Sequence, residues 1–186
     1  MDPELYVFPR ITSPARKAAA STALFALVIT AARLLLPASL RWSIVDEPLA
    51  RWLSLLLGYG VFLYASIQAW RATHQKNTVE DPHREVALRL LERGFYARAR
   101  HPMYGMFILA NAGLGLASGS VYGLGFSLLS LVVFIANGIF EERAVLIPQF
   151  GEQYRAYMRR VPARCFAPWD AALLLATLAV TVAGAF

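Results

Sequence analysis

Residues 102–140 read PMYGMFILANAGLGLASGSVYGLGFSLLSLVVFIANGIF, without a single charged side chain or histidine. A helix of roughly 20 apolar residues crosses the ~30 Å hydrocarbon core of a bilayer, so this run is too long for one crossing. Near its middle stands Ala117-Ser118-Gly119-Ser120, a small, turn-prone stretch where a chain can reverse. The pattern predicts two helices, near 102–117 and 121–140, joined as a tight hairpin.

Working outward, apolar runs recur at 18–36, at 49–70 and at 171–186, the first broken only by Arg33 near its end. Across the 186 residues, 58% are hydrophobic and 16% charged, and mean hydropathy is +0.47, which is too apolar for a soluble domain of this size. The predicted fold is all-α: a single polytopic membrane domain over 1–186 with about five transmembrane helices. Basic residues give the orientation. Three of the 18 Lys and Arg lie in 1–17, seven in 71–101 and five in 141–170. A five-span chain puts these three segments on one side, which the positive-inside rule makes cytoplasmic. The expected location is therefore an integral one, in a cytoplasmic (inner) membrane of prokaryotic type, with the N-terminus and any polar site inside. The basic stretch before the first apolar run reads as an uncleaved anchor, because the run exceeds a signal h-region and no A-x-A site follows.

Polar chemistry must then sit in the cytoplasmic segments 71–101 and 141–168. The first ends in Arg98-Ala99-Arg100-His101-Pro102-Met103-Tyr104-Gly105. Proline suits the first turn of a helix, so a helix is expected to start at His101 or Pro102. Its free N–H groups, with Arg98 and Arg100 beside them, suit a carboxylate or phosphate. The run 121–140 leads into Glu141-Glu142, two adjacent carboxylates at a membrane boundary, where burying charge is costly. Facing the basic helix start, they would make a pocket with one anion-binding and one cation-binding end. Beyond them, Phe150-Gly151-Glu152-Gln153-Tyr154-Arg155-Ala156-Tyr157 mixes aromatic and basic residues as an amphipathic helix on the membrane surface does.

Other chemistries lack their signatures. The net charge of +6 is spread over short segments, none long enough for a nucleic-acid module. His74, His83 and His101 lack zinc-site spacing, and Cys165 is the single cysteine, so no metal is expected. Gly113-Leu114-Gly115 and Gly123-Leu124-Gly125 follow no strand; they read as close helix contacts rather than a nucleotide loop. Asn111 and Asn137 are expected to bond neighbouring helices. A transporter would show more polar residues within its spans than Arg33, Gln68, Asn111 and Asn137.

Two blocks carry a resemblance. Gly94-Phe95-Tyr96 followed by Arg100-His101-Pro102-Met103-Tyr104-Gly105, and Glu141-Glu142 followed by Phe150-Gly151-Glu152-Gln153-Tyr154, Tyr157, Val161-Pro162 and Pro168, resemble the isoprenylcysteine carboxyl methyltransferase family, which is related to the membrane phospholipid methyltransferases. Sterol reductases share part of the second block but are considerably longer. The resemblance implies a cytoplasm-facing S-adenosylmethionine site without a Rossmann fold, and a lipophilic substrate arriving from the bilayer. It implies cofactor contacts at Leu88, Leu91, Tyr96, His101, Pro102, Met103, Tyr104 and Glu142. His101 and Tyr104 become the candidate catalytic groups, and Arg100, Glu141, Tyr154 and Tyr157 the substrate-side ones. Prenylcysteine methyltransferases carry an arginine one helical turn before the glutamate that Glu142 matches. Here that position is Gly138, which cannot hold a substrate carboxylate. Topology can be tested by single-cysteine labelling in a Cys165→Ala background: Ser120→Cys should react from the side opposite Glu80→Cys and Arg155→Cys, and labelling of all three from one side would reject the arrangement.

Overall fold

The computed structural model describes residues 48–79 and 90–183, together with isolated helical positions at 23, 24, 27, 28 and 31. The expected first span, 18–36, and the final residues of the expected last one otherwise lie outside these. Helix α1 (Pro48–Val79) is followed by a 3₁₀ turn (Gly94–Ala97), then α2 (Pro102–Ser118) and α3 (Val121–Glu141). A single π turn (Glu142–Leu146) carries α3 on into the short α4 (Ile147–Phe150). Helices α5 (Glu152–Arg160) and α6 (Pro168–Ala183) complete the chain, and no strand occurs among the described residues.

The hairpin forms where the sequence places it. Gly119 takes the left-handed conformation (φ 55°) that ends α2, its N–H bonding the Leu116 carbonyl, and Ser120 caps α3 by accepting from the Gly123 N–H at 3.2 Å. Glycine adopts this backbone without the Cβ penalty that other residues meet. Between the two helices, Asn111 Nδ2 donates to Ser130 Oγ at 2.8 Å, which satisfies two polar groups inside an apolar contact.

Helix α2 is the centre of the bundle, packed against α1, α3 and α6, with Ile108, Leu109 and Leu114 fully buried. Close approach of backbones makes this possible. A Cβ on Gly58 of α1 would lie 2.5 Å from the Gly113 carbonyl oxygen of α2, and one on Gly113 would lie 2.7 Å from the Gly58 oxygen. Gly115 and Gly123 stand in the same relation across the hairpin, with the Gly123 oxygen 2.7 Å from a Cβ on Gly115. Gly125 differs from its neighbours: a Cβ there would meet nothing within 4 Å.

Two stretches among the described residues, Leu49–Gln75 and Val121–Phe150, are long and apolar enough to cross a membrane, and only 22% of the apolar window in each is buried. Their remaining surface is a belt of exposed Leu49, Trp52, Leu56, Leu129, Val132 and Phe140. A water-soluble protein rarely leaves so large an apolar surface bare, whereas lipid covers it at no cost. Helices α2 and α6 are shorter, at 17 and 16 residues. Gly113→Ala should destabilise the protein by about 1–3 kcal/mol, because backbone must give way. Gly125→Ala should be neutral or stabilising by up to about 1 kcal/mol through helix propensity. Thermal unfolding in detergent micelles distinguishes the two.

Candidate active site

Three chain segments meet at the polar end of the hairpin. The first is the start of α2, where Pro102 occupies the first turn and His101 precedes it, as expected. The second is the end of α3, where the π turn begins at Glu142. The third is the segment after α5, which runs alongside residues 100–105. There the Arg100 N–H bonds the Ala163 carbonyl (3.0 Å) and the His101 N–H bonds the Arg164 carbonyl (2.6 Å). Gly105 permits this crossing, because a Cβ there would collide with the Cys165 carbonyl.

At their junction lies Glu142, 2% exposed. Its Oε1 accepts from Arg100 Nε at 2.8 Å and lies 3.2 Å from His101 Nε2; its Oε2 accepts from Arg164 Nε (3.2 Å) and Nη2 (3.1 Å). Arg100 Nη1 donates to the Val161 and Pro162 carbonyls, at 2.7 and 2.9 Å. The neighbouring Glu141 is a third exposed; its Oε2 accepts from the Tyr104 hydroxyl at 2.8 Å and lies 3.5 Å from His101 Nδ1. The rings of His101 and Tyr104 stack in parallel, 5.4 Å apart and inclined by 6°. Burial pushes the His101 pKa below its ordinary 6.5, overcoming the opposite pull of Glu141 and Glu142, and Arg100 adds to the lowering. At neutral pH the imidazole is uncharged.

A second group of residues backs the cluster. Tyr154 and Tyr157 project from one face of α5 and are almost wholly buried against Leu90, Leu146, Ile147 and Phe150. Tyr157 donates its hydroxyl to the Tyr96 carbonyl at 2.7 Å, while the buried Tyr154 hydroxyl has no partner. Burial raises both phenol pKa values, so both stay protonated. The 3₁₀ turn bearing Tyr96 is held from α1: Gln75 Nε2 donates to the Arg93 carbonyl (2.8 Å) and its Oε1 accepts from the Phe95 N–H (3.1 Å). This amide brackets Gly94, whose φ of 61° and lack of a Cβ allow the fit. Met103 Sδ lies 3.3 Å from the Thr73 hydroxyl of α1.

The structure thus brings together His101, Tyr104, Arg100, Glu141 and Glu142, with Tyr96, Tyr154 and Tyr157 behind them. Pro102, Met103 and the half-buried Leu91 are close in sequence to this cluster, and Leu88 lies outside the described residues. One expectation changes. The aromatic face of 150–157 turns into the protein rather than onto a membrane surface, because Tyr154 and Tyr157 cover the site's back. Arg100, bonded to one carboxylate and two carbonyls, also fastens the segment after α5 to the start of α2. Among the described residues no group of His, Cys, Asp or Glu has the makings of a metal site. Cys165 is buried, which pushes its thiol up to about 11 and leaves it unreactive. Sequence reading passed over Arg164, which stands two positions after Val161-Pro162 with nothing local to set it apart from Arg159 or Arg160.

A comparison with protein-family models matches residues 49–153 to the phospholipid methyltransferase family. The chain belongs to that family. Membership agrees with the resemblance carried by the two motif blocks, and makes this a family of membrane-associated methyltransferases. The match runs from α1 into α5 and includes every residue touching Glu142 except Arg164. No curated protein and no solved structure matches the chain.

In this phospholipid methyltransferase family member, Glu142→Gln leaves two guanidinium groups without their counter-ion and should cost about 3 kcal/mol of stability, read by denaturant unfolding in micelles. The His101 shift gives a pH dependence. The unfolded imidazole takes up a proton near 6.5 and the folded one only at lower pH, so this contribution to stability is complete above 6.5 and is lost as pH falls from there toward the folded value. His101→Gln should flatten that part of the slope.

Proposed function

We propose that the chain transfers a methyl group from S-adenosylmethionine to a lipophilic acceptor dissolved in the bilayer, in the manner of the isoprenylcysteine carboxyl methyltransferases. The observation that supports this most is the cluster's position. A buried Arg100–His101–Glu142 network stands at the end of an uncharged hairpin, inside the family match, next to an exposed apolar belt.

The residues present fit the cofactor. S-adenosylmethionine carries a carboxylate, an ammonium group, ribose hydroxyls and a sulfonium. The Tyr154 hydroxyl is buried without a partner, Glu141 keeps a third of its side chain exposed, and Arg164 offers a guanidinium at the same place. Leu88, Leu91, Tyr96, His101, Pro102, Met103, Tyr104 and Glu142 would hold it, with Glu141 and Tyr157 toward the acceptor. Bound there, it supplies a methyl group on a positively charged sulfur, open to in-line attack.

The chain's own groups prepare the acceptor. With the ring proton on Nε2, donated to Glu142 at 3.2 Å, Nδ1 is the nitrogen that would accept one. His101 can then deprotonate an amine or a thiol, while a carboxylate acceptor needs no base. Tyr104 keeps the imidazole in place by stacking on it and by binding Glu141. Surroundings drier than water favour a transfer that neutralises charge.

A second reading within the superfamily is amine methylation of a phospholipid. The description of the matched family and the absence of a side chain at Gly138 favour it. Incubation with methyl-labelled S-adenosylmethionine and a native lipid extract separates the two. A label released by mild base marks a carboxyl ester; a base-stable label in the phospholipid fraction marks an N-methyl group. Absence of both transfer and cofactor affinity would sink the proposal. Tyr154→Phe should reduce methyl transfer about tenfold, the worth of one hydrogen bond, without lowering stability, since it removes a buried hydroxyl that has no partner.

A further inference from the structure

We propose that Arg164 receives an oxyanion of the ligand, a carboxylate or a phosphate, on the edge of its guanidinium not used by Glu142. The inference rests on the reading above only in taking the cluster at the tip of α2 as the ligand site.

Two arginines share the single carboxylate of Glu142, and they are not equivalent. The Arg100 side chain is 6% exposed, with Nε on Glu142 and Nη1 on the Val161 and Pro162 carbonyls, so burial keeps it from a ligand. Arg164 places Nε and Nη2 on Glu142 Oε2, keeps 34% of its side chain exposed, and has no partner for Nη1 among the described residues. The charges do not cancel locally. His101 is neutral, and Glu141 engages Tyr104 and His101 rather than either arginine. Summed over the cluster, Arg100 and Arg164 balance Glu141 and Glu142, but Glu142 is the one carboxylate in contact with the guanidinium groups, and the reachable edge of Arg164 has no anion beside it among the described residues. A planar guanidinium held along one edge offers its other N–H groups in the fork geometry that carboxylates and phosphates accept.

Gly138 borders this placement. A Cβ at that position of α3 would lie 3.4 Å from the His101 ring and 3.7 Å from Arg164 Cδ. The bare helix face gives the arginine stem its resting place, and a side chain larger than alanine would push against both residues. The loop that delivers Arg164 is fixed by its own backbone, since the Arg164 carbonyl accepts from the His101 N–H.

Two sources could supply the oxyanion: the amino-acid carboxylate of the cofactor or the phosphate of a lipid. The full-length protein in micelles separates them through two pairs of probes. S-adenosylhomocysteine and 5′-methylthioadenosine differ by the amino-acid end; dihexanoylphosphatidic acid and dihexanoylglycerol differ by the phosphate. Wild-type protein should prefer the anionic member of at least one pair by tenfold or more, and Arg164→Gln should abolish that preference with helical content unchanged by circular dichroism. Loss in the first pair assigns the cofactor carboxylate; loss in the second assigns a lipid phosphate. Should the glutamine variant not fold, Arg164→Lys keeps the charge on Glu142 but lacks the second edge, and should lose at least threefold of the preference. Wild-type protein without either preference, or a folded variant that retains it in full, overturns the proposal. Failure of wild-type protein to bind either nucleoside counts against the methyltransferase reading alone, because the lipid pair still decides the role of Arg164.

Discussion

A carboxylate taken out of water stays ionised only if its partners are already in place, and Glu142 has three of them at hydrogen-bond distance. They come from different parts of the chain: Arg100 and His101 from the start of α2, and Arg164 from the segment after α5. Each partner is fixed in turn by backbone. Arg100 ties down the Val161 and Pro162 carbonyls, and the His101 and Arg100 N–H groups bond the same passing segment. The desolvation cost of the carboxylate thus becomes a condition on the fold, since the three segments must meet for the charge to be tolerated. A loose version of this junction would leave charge unpaired in a dry place, so the arrangement is specified as well as stabilised.

The junction also explains a division of labour among residues that look alike in sequence. Of two neighbouring glutamates, one is buried among cationic partners and one keeps a third of its side chain open. Of two arginines on the same carboxylate, one is buried and one is accessible. A single π turn starting at Glu142 widens the helix where these carboxylates diverge, a distortion often found at functional sites. Behind them, the phenols of α5 and the Gln75 clamp hold the Tyr96 turn without adding charge.

Family membership, an apolar belt left uncovered by the described residues, and a charged network at the end of the hairpin agree with one another. Chemistry on a lipid-soluble molecule needs a polar site within reach of the bilayer, and the polar cluster stands at the open end of the hairpin, opposite its Gly119 turn.

Sequence alone determined what depends on neighbours along the chain. The uncharged run 102–140 and its Gly119 break specified the hairpin, Pro102 specified where α2 begins, and the two motif blocks indicated His101, Tyr104, Glu141 and Glu142. These signals are legible because helix length, turn chemistry and short motifs are local. Only the tertiary structure decided which charged groups face one another. Nothing local distinguishes Arg164 from Arg159 or Arg160, or shows that Arg100 binds carbonyls some 60 residues away. The inward turn of Tyr154 and Tyr157, and the glycine contacts of Gly58 with Gly113, depend likewise on the packing of distant helices. Burial, and with it the strength of every charge interaction at the site, is a property of the assembled fold.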